Sequence, residues 1–465
     1  MKIPENGKAK NVLEEQTMFN KILIANRGEI AVRVIRACKE MNIRTVAVVS
    51  EADRDCLHAL LADETICIGG NSPKESYLNK QNILAACEIT GADAIHPGFG
   101  FLSEDAEFAE ICARCNIKFI GPDATSIAVM GDKAMAKSTM KAGGVPTIPG
   151  SDGEVDDLET AFANAAEIGY PLLIKAAAGG GGRGIRLVED ENQLENAFNM
   201  AREEAISCFG NGAVYMEKYL TNTRHVEIQI IADEHGNVVH LFERDCSMQR
   251  RKQKVIEEAP CAGISAETRF AMGDAAVKAA LACNYKNAGT VEFLLNPDGT
   301  FYFMEMNTRV QVEHPITEMI TGVDIVKTQI RIAAGEPLGF TQEMVGISGH
   351  SIECRINAEN PENNFAPSFG MVKELFTPGG FGVRFDSQLY AGYKIPPFYD
   401  SMIGKLIVHA ENRDAAIDKM KSALSELIVD GIDSNIKFQF ELLCTEQFKS
   451  GNYTTDTIEK LMGNA

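Results

Sequence analysis

Residues 290–313, TVEFLLNPDGTFYFMEMNTRVQVE, contain two β-rich runs on either side of Asp298-Gly299. This dipeptide is favoured in two-residue type I′ turns, so the sequence predicts an antiparallel hairpin. The register set by such a turn places Glu292 directly opposite Glu305. Polar and apolar residues alternate along the second strand, which gives it one polar face and one largely apolar face. The polar face would carry Glu305, Asn307, Arg309, Gln311 and Glu313.

The opposed glutamates are the strongest functional signal in the sequence. Two carboxylates in this position destabilise the strand pair and raise each other's pKa unless a positive charge lies between them. A divalent cation supplies that charge, and carboxylate and amide oxygens suit magnesium bridging the phosphates of a nucleotide. We therefore expect Glu292, Glu305 and Asn307 to hold such an ion. A solvated outer face is the alternative, but residues 290–293, TVEF, place the glutamate among apolar neighbours.

Residues 171–188, PLLIKAAAGGGGRGIRLV, predict a strand, a glycine-rich loop and a second strand. A P-loop needs G-x-x-x-x-G-K-[ST] opening a helix, and the chain has no such match. Consecutive glycines can still let backbone amides close over a phosphate. A flexible surface loop is equally consistent with the glycines alone. Lys175, at the end of the first strand, favours the phosphate interpretation because its ammonium would meet a phosphate oxygen.

The segment from Lys21 to Ile120 alternates short β-rich runs with helical patterns, as parallel sheets with crossover helices do. The stretch NRGEIA at residues 26–31 has one glycine where a dinucleotide fold needs G-x-G-x-x-G, so NAD or FAD binding is not expected. The predicted strands are 21–25, 45–49, 65–68, 94–96 and 118–120.

The composition excludes several classes of protein. The 465 residues carry a net charge of −20, which provides no general attraction for nucleic acid. No apolar run reaches the roughly 18 residues of a membrane-spanning helix. The first 17 residues lack the apolar centre of a secretory signal. Twelve scattered cysteines then indicate reduced thiols and a cytoplasmic location.

The patterns predict a mixed α/β and α+β architecture in several parts. A helix is expected from Ser126 to Gly144, and the Pro and Gly residues that follow mark a boundary. The predicted parts are a disordered tail (1–17), a parallel α/β domain (18–147), a small lid domain (148–220) and a large C-terminal α+β domain (221–465).

Five motifs together resemble the biotin carboxylases of the ATP-grasp superfamily, and the resemblance runs from Phe19 to the C-terminal region. They are long, ordered and specific. The motifs are NRGEIA at 26–31, HPGFGFLSE at 96–104, the glycine loop at 179–184, ERDCSMQ at 243–249 and EMNTR at 305–309.

The resemblance implies an ATP-grasp fold with a mobile lid and a binding site for ATP. Lys133 and Lys175 would contact the phosphates, and the loop at Gly181 and Gly182 would close over them. The segment from Glu217 through Lys218 to Leu220 would form the adenine hinge. One or two magnesium or manganese ions would lie at the predicted metal site. The remaining nucleotide contacts would be His225, Gln249, Lys252, Glu292 and Glu305.

The resemblance also implies the chemistry. Bicarbonate would be held by Lys254, Arg309, Gln311 and Val312. Glu313 would remove its proton so that it attacks the γ-phosphate of ATP, giving carboxyphosphate and ADP. Arg355 would face the ureido group of biotin and stabilise its enolate. Another ATP-grasp ligase is one alternative, and it would share the nucleotide and metal residues but not the bicarbonate and biotin residues. A non-catalytic ATP-binding regulator is a second alternative, and it would not need Glu313, Arg309 and Arg355.

One residue departs from the family pattern. In RRKQK at residues 250–254, Lys252 stands where the family usually has histidine, next to the phosphates. Lysine supplies a permanent positive charge, so we expect function to persist with an altered pH dependence. A neutral substitution is the alternative.

The expected partner proteins follow from the family resemblance and from a missing biotinylation motif. The chain has no Met-Lys-Met biotinylation motif. It is therefore expected to act on biotin bound to a separate biotin carboxyl carrier protein and to work with carboxyltransferase subunits. Acetyl-CoA carboxylase in fatty-acid synthesis is the simplest setting, with two-subunit pyruvate carboxylase or another acyl-CoA carboxylase as the alternative. Arg33, Arg36 and Glu40 lie on one face of the helix predicted from Glu29 to Met41, where surface salt bridges would explain them. The resemblance implies instead an isologous homodimer through Arg33, Glu40, Phe381, Arg384 and Asp400.

Overall fold

The computed structural model describes residues 18–176, 185–209 and 212–463. The predicted tail at 1–17 and the loop glycines Gly181 and Gly182 lie outside these ranges. Within the described ranges, no helix combines the length and the apolar character needed to cross a membrane.

The chain first forms a five-stranded parallel sheet, as predicted. Its strands are β1 (Lys21–Ile24), β2 (Arg44–Val49), β3 (Glu64–Cys67), β4 (Ala94–His96) and β5 (Lys118–Phe119). They lie in the order β3-β2-β1-β4-β5, and every neighbouring pair is parallel. Parallel neighbours need long crossover connections, which the helices of this part provide. The helices of this part are α1 (Gly28–Glu40), α2 (Leu57–Leu61), α3 (Lys80–Thr90), α4 (Ala106–Arg114), α5 (Ala124–Gly131) and α6 (Lys133–Ala142).

The single helix predicted from Ser126 to Gly144 is wrong, because α5 and α6 are separate. The break falls at Asp132, whose backbone is extended. Its carboxylate accepts hydrogen bonds from the backbone N–H groups of Ala134 and Met135, both at 2.9 Å. An aspartate in this role starts a new helix, which places Lys133 at the first position of α6.

A small antiparallel sheet follows, with helices packed on it. It comprises β6 (Leu172–Ala176), β7 (Ile185–Val188) and β8 (Val214–Lys218) in the order β7-β6-β8, with α7 (Leu158–Ile168) and α8 (Glu191–Phe209). Leu172 pairs with Val188 and Lys175 with Ile185, so the two predicted strands form an antiparallel pair.

The rest of the chain is built on an eight-stranded antiparallel sheet. Its strands are β9 (Arg224–Ala232), β10 (Val238–Arg250), β11 (Gln253–Ala259), β12 (Asn287–Leu295), β13 (Phe301–Asn307), β14 (His350–Asn357), β19 (Val383–Ser387) and β21 (Met402–Ala410). The order is β13-β12-β9-β10-β11-β14-β21-β19. Short pairs are made by β15 (Glu359–Asn360), β16 (Ala366–Pro367), β17 (Gly370–Met371), β18 (Glu374–Phe376), β20 (Lys394–Ile395) and β22 (Ile428–Asp430). The helices are α9 (Ala266–Ala282), α10 (His314–Thr321), α11 (Ile325–Ala333), α12 (Arg413–Glu426), α13 (Ile436–Cys444), α14 (Glu446–Ser450) and α15 (Thr457–Leu461).

The large sheet has one apolar buried face and one polar buried face. Val226 and Ile228 of β9 and Phe293 of β12 pack with Met272 of α9 in one hydrophobic cluster. The alternate residues of β9 point the other way and are also buried: His225, Glu227 and Gln229. Burying polar groups costs free energy unless each is paired, so this second face must contain a network of charges and hydrogen bonds.

The hairpin of β12 and β13 departs from the prediction at its turn but not at its glutamates. The loop has three residues, Pro297 to Gly299, since the Asn296 N–H donates to the Thr300 carbonyl at 2.8 Å. Gly299 adopts φ +87°, the left-handed conformation that ends such a loop. A β-bulge at Met304 then shifts the register back by one residue, and Glu292 pairs with Glu305 as predicted.

Because of Glu258 on β11, we expect the large sheet to lose stability at acid pH. Its carboxylate is buried and contacts His350 Nε2 and Arg413 Nε, each at 2.8 Å. Burial alone would raise the pKa of Glu258, but the hydrogen bond from His350 and the charge of Arg413 lower it from 4.5 to about 2. A lowered folded-state pKa stabilises the fold above pH 4.5, and this contribution is lost as the pH falls towards 2.

We therefore expect Glu258→Gln to lower the free energy of unfolding at pH 7 by roughly 3 kcal/mol. The difference from the unsubstituted protein should shrink as the pH falls from 4.5 towards 2. Urea unfolding followed at several pH values measures this, with the exposed Glu411→Gln as control, expected within about 0.5 kcal/mol. A difference that is the same at pH 7 and pH 3 would contradict the assignment.

Candidate active site

Three carboxylates form a row across neighbouring strands on the polar face of the large sheet. Glu227 of β9 pairs with Glu292 of β12, which pairs with Glu305 of β13. Glu227 and Glu292 are buried, whereas Glu305 is exposed at the end of the row. Like charges in such positions are destabilising unless compensated. Glu227 was not predicted from the sequence, although the alternation of His225, Val226 and Glu227 already placed it on the polar face.

Lys254 supplies the compensating charge. Its Nζ donates to Glu227 Oε2 at 2.7 Å, to Glu292 Oε1 at 3.0 Å and to Glu313 Oε1 at 2.7 Å. Burial alone would lower the pKa of Lys254, but Cys246 and the three carboxylates raise it well above its usual value. The side chain therefore stays protonated, and all three of its donors are used.

Glu313 is fully buried and held as an anion. In addition to Lys254, it accepts a hydrogen bond on Oε2 from Arg355 Nη2 at 3.0 Å. Burial would raise the pKa of Glu313, but Lys254, Arg355 and Arg244 together hold it well below its usual range. An ionised carboxylate beside two cations accepts a proton only from a group brought into contact with it.

Arg355 links this carboxylate to a second buried glutamate. Its Nε donates to Glu257 Oε1 at 2.5 Å. Burial raises the pKa of Glu257, with Arg355 opposing the rise and Glu313 adding to it. A narrow cleft is lined by Lys254, Val255, Arg355 and Asn357, so the guanidinium of Arg355 borders space that is open to solvent.

The segment from Gln311 to Glu313 is irregular, because β13 ends at Asn307 rather than running on to Glu313 as the alternation predicted. Two buried side chains hold this segment instead. His314 Nδ1 lies 2.7 Å from the Gln311 carbonyl oxygen and donates to it, since a carbonyl only accepts. Lys405 Nζ donates to the Val312 carbonyl at 2.5 Å and makes an ion pair with Glu29 of α1 at 3.1 Å.

Arg309 joins the polar face to the parallel sheet. Its Nε donates to Glu104 Oε2 at 2.8 Å, in the HPGFGFLSE motif. Its Nη1 donates to Gln311 Oε1 at 2.8 Å and its Nη2 to Asn307 Oδ1 at 3.1 Å. Gln311 Nε2 donates to Glu292 Oε1 at 3.0 Å, so the predicted bicarbonate residues Lys254, Arg309 and Gln311 and the predicted base Glu313 lie in one hydrogen-bonded group. Val312 lies between Gln311 and Glu313 in the chain, and its carbonyl is bonded to Lys405.

His225 and Gln249 lie at the other side of Glu292. Gln249 Nε2 is 2.6 Å from His225 Nδ1, and because an amide nitrogen only donates, Nδ1 is the acceptor. The proton of a neutral ring is then on Nε2, which lies 2.9 Å from Glu292 Oε2. Both residues therefore face the predicted metal and phosphate region.

The residues predicted for the metal fit a divalent cation. Glu305 makes no hydrogen bond within the described part of the chain, and it faces Glu292 across the strand pair. The protein around its carboxyl group and the negative charge of Glu292 raise the pKa of Glu305, and a divalent cation between the two glutamates would offset both effects. Asn307 donates its Nδ2 to Glu292 Oε1 at 2.9 Å, so its amide lies at the same place. A second group, His225, Glu227 and Glu292, also lies within ligand distance, but Glu227 and Glu292 already contact Lys254.

Two lysines contact Glu217 at the predicted adenine hinge. Lys175 Nζ donates to Glu217 Oε2 at 2.5 Å, and Lys137 Nζ donates to Oε1 at 2.9 Å. Lys137 was not predicted from the sequence, although its position four residues after Lys133 on α6 places both on one face of the helix.

The other residues predicted for the nucleotide are more dispersed. Lys218 Nζ donates to the Tyr170 carbonyl at 2.8 Å, away from Glu217. Leu220 follows β8, and Lys133 is exposed at the start of α6. Lys252 is exposed at the tip of the β10–β11 hairpin, where it has φ +65°.

The residues predicted for a dimer contact have partners within the chain. Arg33 is buried and contacts Glu318 at 2.9 Å and Asp324 at 2.7 Å, so it is not a surface salt-bridge residue. Arg384 contacts Asp386 and Glu318, Glu40 contacts Lys327, and Asp400 accepts from the Met402 N–H. Phe381 is 96% exposed, which is unusual for a large aromatic side chain.

Three family models match consecutive parts of the chain. They are described as "Biotin carboxylase, N-terminal domain" (residues 18–127), "Carbamoyl-phosphate synthase L chain, ATP binding domain" (132–341) and "Biotin carboxylase C-terminal domain" (353–460). Together with the sheet order and the charged site, they define an enzyme of the ATP-grasp class. The predicted fold is confirmed.

The chain is 57% identical to a biotin carboxylase of Haemophilus influenzae over 447 residues, which cover 96% of this chain and 99% of that protein. It is 54% identical to a pyruvate carboxylase subunit of Methanothermobacter thermautotrophicus, over 95% of this chain and 90% of that protein. The biotin carboxylase domain dimer of the Hydrogenobacter thermophilus 2-oxoglutarate carboxylase, solved with MgADP, ADP and bicarbonate, superposes with a TM-score of 0.88 at 50% identity, covering 96% and 99% of the two chains. The chain belongs to the biotin carboxylase family of ATP-dependent ligases.

The geometry makes Lys405 necessary for the stability of the segment that carries Glu313. Replacing it by methionine leaves Glu29 buried without its cation and the Val312 carbonyl without its donor. We expect Lys405→Met to lower the free energy of unfolding by about 3–5 kcal/mol, the cost of removing one partner of a buried pair. Urea unfolding at pH 7 measures it, with the exposed Lys437→Met as control. A loss below about 1 kcal/mol would contradict this role for Lys405.

Proposed function

We propose that the chain carboxylates biotin carried on a biotin carboxyl carrier protein, with bicarbonate as the carbon source and ATP as the energy source. The observation that carries the proposal is the ionised, buried Glu313 held between Lys254 and Arg355. Bicarbonate is a weak nucleophile, and a carboxylate base beside two cations suits the activation of an anion. The membership of the family supports the same reaction.

In the first step, the positive charges of Lys254 and Arg309 would hold bicarbonate while Gln311 and the backbone of Val312 orient it. Glu313 takes its proton, and the freed oxygen attacks the γ-phosphorus of ATP. The bond from the γ-phosphorus to the bridging oxygen breaks, which releases ADP and leaves carboxyphosphate. Phosphoryl transfer needs charge neutralisation more than covalent assistance, and the cations of the site provide it.

The nucleotide would lie between the small sheet and the polar face of the large sheet. Lys133 and Lys175 would contact its phosphates, and Gly181 and Gly182 would close over them. Magnesium or manganese, as one or two ions held by Glu292, Glu305 and Asn307, would neutralise phosphate charge. Further contacts are proposed for Glu217, Lys218, Leu220, His225, Gln249 and Lys252.

In the second step, carboxyphosphate releases carbon dioxide within the closed site, and the departing phosphate takes the ureido proton of biotin. The resulting enolate attacks carbon dioxide to give carboxybiotin. Arg355 would stabilise the negative charge of that enolate, since its guanidinium borders the open cleft.

The setting of the reaction is also a proposal. We propose the biotin carboxylase component of acetyl-CoA carboxylase, working in the cytoplasm with carboxyltransferase subunits. A two-subunit pyruvate carboxylase is the alternative, supported by the similarity to the Methanothermobacter protein. An isologous dimer through Phe381 is supported by its exposure and by the dimer solved for the Hydrogenobacter domain.

The proposed division of the chain, at 147–148 and 220–221, assigns the small sheet to the lid.

Release of ADP tests the reaction class. The purified chain should release ADP from ATP when bicarbonate and free biotin are both present, and far less when either is left out. A regulator without catalysis would release none. Another ATP-grasp ligase would show no dependence on biotin. Recovery of the biotinylated protein bound to the chain, with identification of the final acceptor, separates the two proposed settings.

Arg355→Ala is expected to separate the two steps. Loss of the guanidinium removes the group facing biotin but leaves Lys254 and Arg309 on bicarbonate. Carboxylation of biotin should fall about a hundredfold or more, and bicarbonate-dependent ATP hydrolysis less than about tenfold. Paired assays of carboxybiotin and ADP measure this, with the exposed Arg331→Ala as control. Equal loss of both activities would contradict the role.

Lys252→His tests the departure from the family pattern. Lysine keeps its charge across the neutral range, whereas a solvated histidine loses its charge above about pH 6.5. The activity of Lys252→His should therefore decline relative to the natural enzyme as the pH rises from 6 to 8. Lys394→His, a substitution of another exposed lysine, serves as control. Identical pH profiles for the natural and substituted enzymes would show that the charge has no role.

A further inference from the structure

Glu217 holds two ammonium groups where one would suffice to pair it. The side chain is 9% exposed at the end of β8, and each of its oxygens accepts from a different lysine. Lys175 Nζ lies 2.5 Å from Oε2, and Lys137 Nζ lies 2.9 Å from Oε1. The three side chains together carry a single net positive charge. A buried carboxylate in this state is ionised, and burial, which would raise the pKa of Glu217, is overcome by Lys175 and Lys137.

The backbone holds Lys137 against this carboxylate. Gly150 pairs with Glu217 in an isolated antiparallel bridge. A side chain at Gly150 would lie 2.4 Å from the Met216 carbonyl oxygen and 3.1 Å from Lys137 Nζ. Only glycine therefore lets the chain before α7 approach β8 so closely. The ammonium of Lys137 is enclosed by this approach, with 28% of its side chain exposed, and it is not a freely solvated surface group.

The charge of Lys175 depends on this arrangement. If Glu217 had only Lys175 as its partner, the pair would be neutral, and a phosphate near Lys175 would meet no net positive charge. With Lys137 on the other oxygen, Glu217 is already neutralised, so the charge of Lys175 is free to act on an anion. The ammonium of Lys175 keeps further donors for a phosphate oxygen while it contacts the carboxylate.

We propose that Lys137 is a positioning residue that neutralises Glu217 so that the charge of Lys175 acts on the nucleotide phosphates. The proposal rests on the proposed function in one respect, which is the contact of Lys175 with phosphate. Lys137 itself need not touch the nucleotide. It acts through Glu217, and its contribution is to affinity for the nucleotide rather than to the chemistry of bicarbonate or biotin.

Lys137→Met tests the proposal. We expect binding of MgADP, measured by titration calorimetry on the full chain, to weaken about tenfold through the lost charge balance. The KM for ATP should rise by a similar factor, with kcat and the KM for bicarbonate within about twofold of their original values. Lys137→Arg keeps the charge and should restore most of the affinity. Lys141→Met, one turn further along α6, removes a lysine paired with the exposed Asp152 and should leave MgADP binding unchanged.

A double substitution distinguishes charge balance from a general effect of removing a lysine. In the background of Glu217→Gln there is no carboxylate to neutralise, so Lys137→Met should change MgADP affinity by less than about twofold. The proposal is overturned if Lys137→Met binds MgADP normally, if the tenfold loss persists in the glutamine background, or if Lys141→Met gives the same loss. Thermal unfolding of each variant shows that the fold is intact. A chain that binds MgADP but fails to carboxylate biotin would contradict the proposed function and leave this test valid.

Discussion

The ion pairs of Lys254 with Glu227, Glu292 and Glu313 are the interaction on which the site depends. Each carboxylate comes from a different element, and each is buried, so none would be tolerated as an anion by itself. One ammonium with three donors meets one oxygen of each. The polar face of the large sheet is therefore held together by charge, while its other face is held by the ordinary packing of apolar residues against α9.

The part of the chain that forms the parallel sheet contributes two acidic residues that support the site, Glu29 and Glu104. Glu29 at the start of α1 pairs with Lys405, which holds the carbonyl next to Glu313. Glu104 accepts from Arg309 and orients the guanidinium along the polar face. Neither acidic residue is predicted to touch a substrate. Glu29 lies in the NRGEIA motif and Glu104 in the HPGFGFLSE motif, so these contacts connect both motifs to the active site although neither motif lies in the large sheet.

Local rules predicted the hairpin and its opposed glutamates, whereas contacts between distant segments could not be predicted from spacing. The opposition of Glu292 and Glu305 was found from the period of a strand, although the turn has three residues rather than two. The bulge at Met304 offset that error, and no local rule announces a bulge. Lys254 is close to Glu227 only because β11 and β9 both flank β10, and the order of strands is a property of the whole sheet. Glu227 was missed because it belongs to no motif. Arg309 and Gln311 were placed together by the alternation along the strand, whereas Lys254, Val312 and the bicarbonate role came from the resemblance alone.

The two ends of the proposed nucleotide site differ in their charge, and the fold of the chain itself produces this difference. At one end, Glu305 is opposite Glu292 with no hydrogen bond of its own in the described ranges, an arrangement that attracts a cation. At the other end, Lys175 and Lys137 surround the single carboxylate of Glu217, an arrangement that attracts an anion. A nucleotide with its divalent ion has the matching distribution of charge along its phosphates. Each end is incompletely neutralised by the protein, so binding of the whole complex relieves both imbalances at once, whereas the ion or the phosphate alone relieves one.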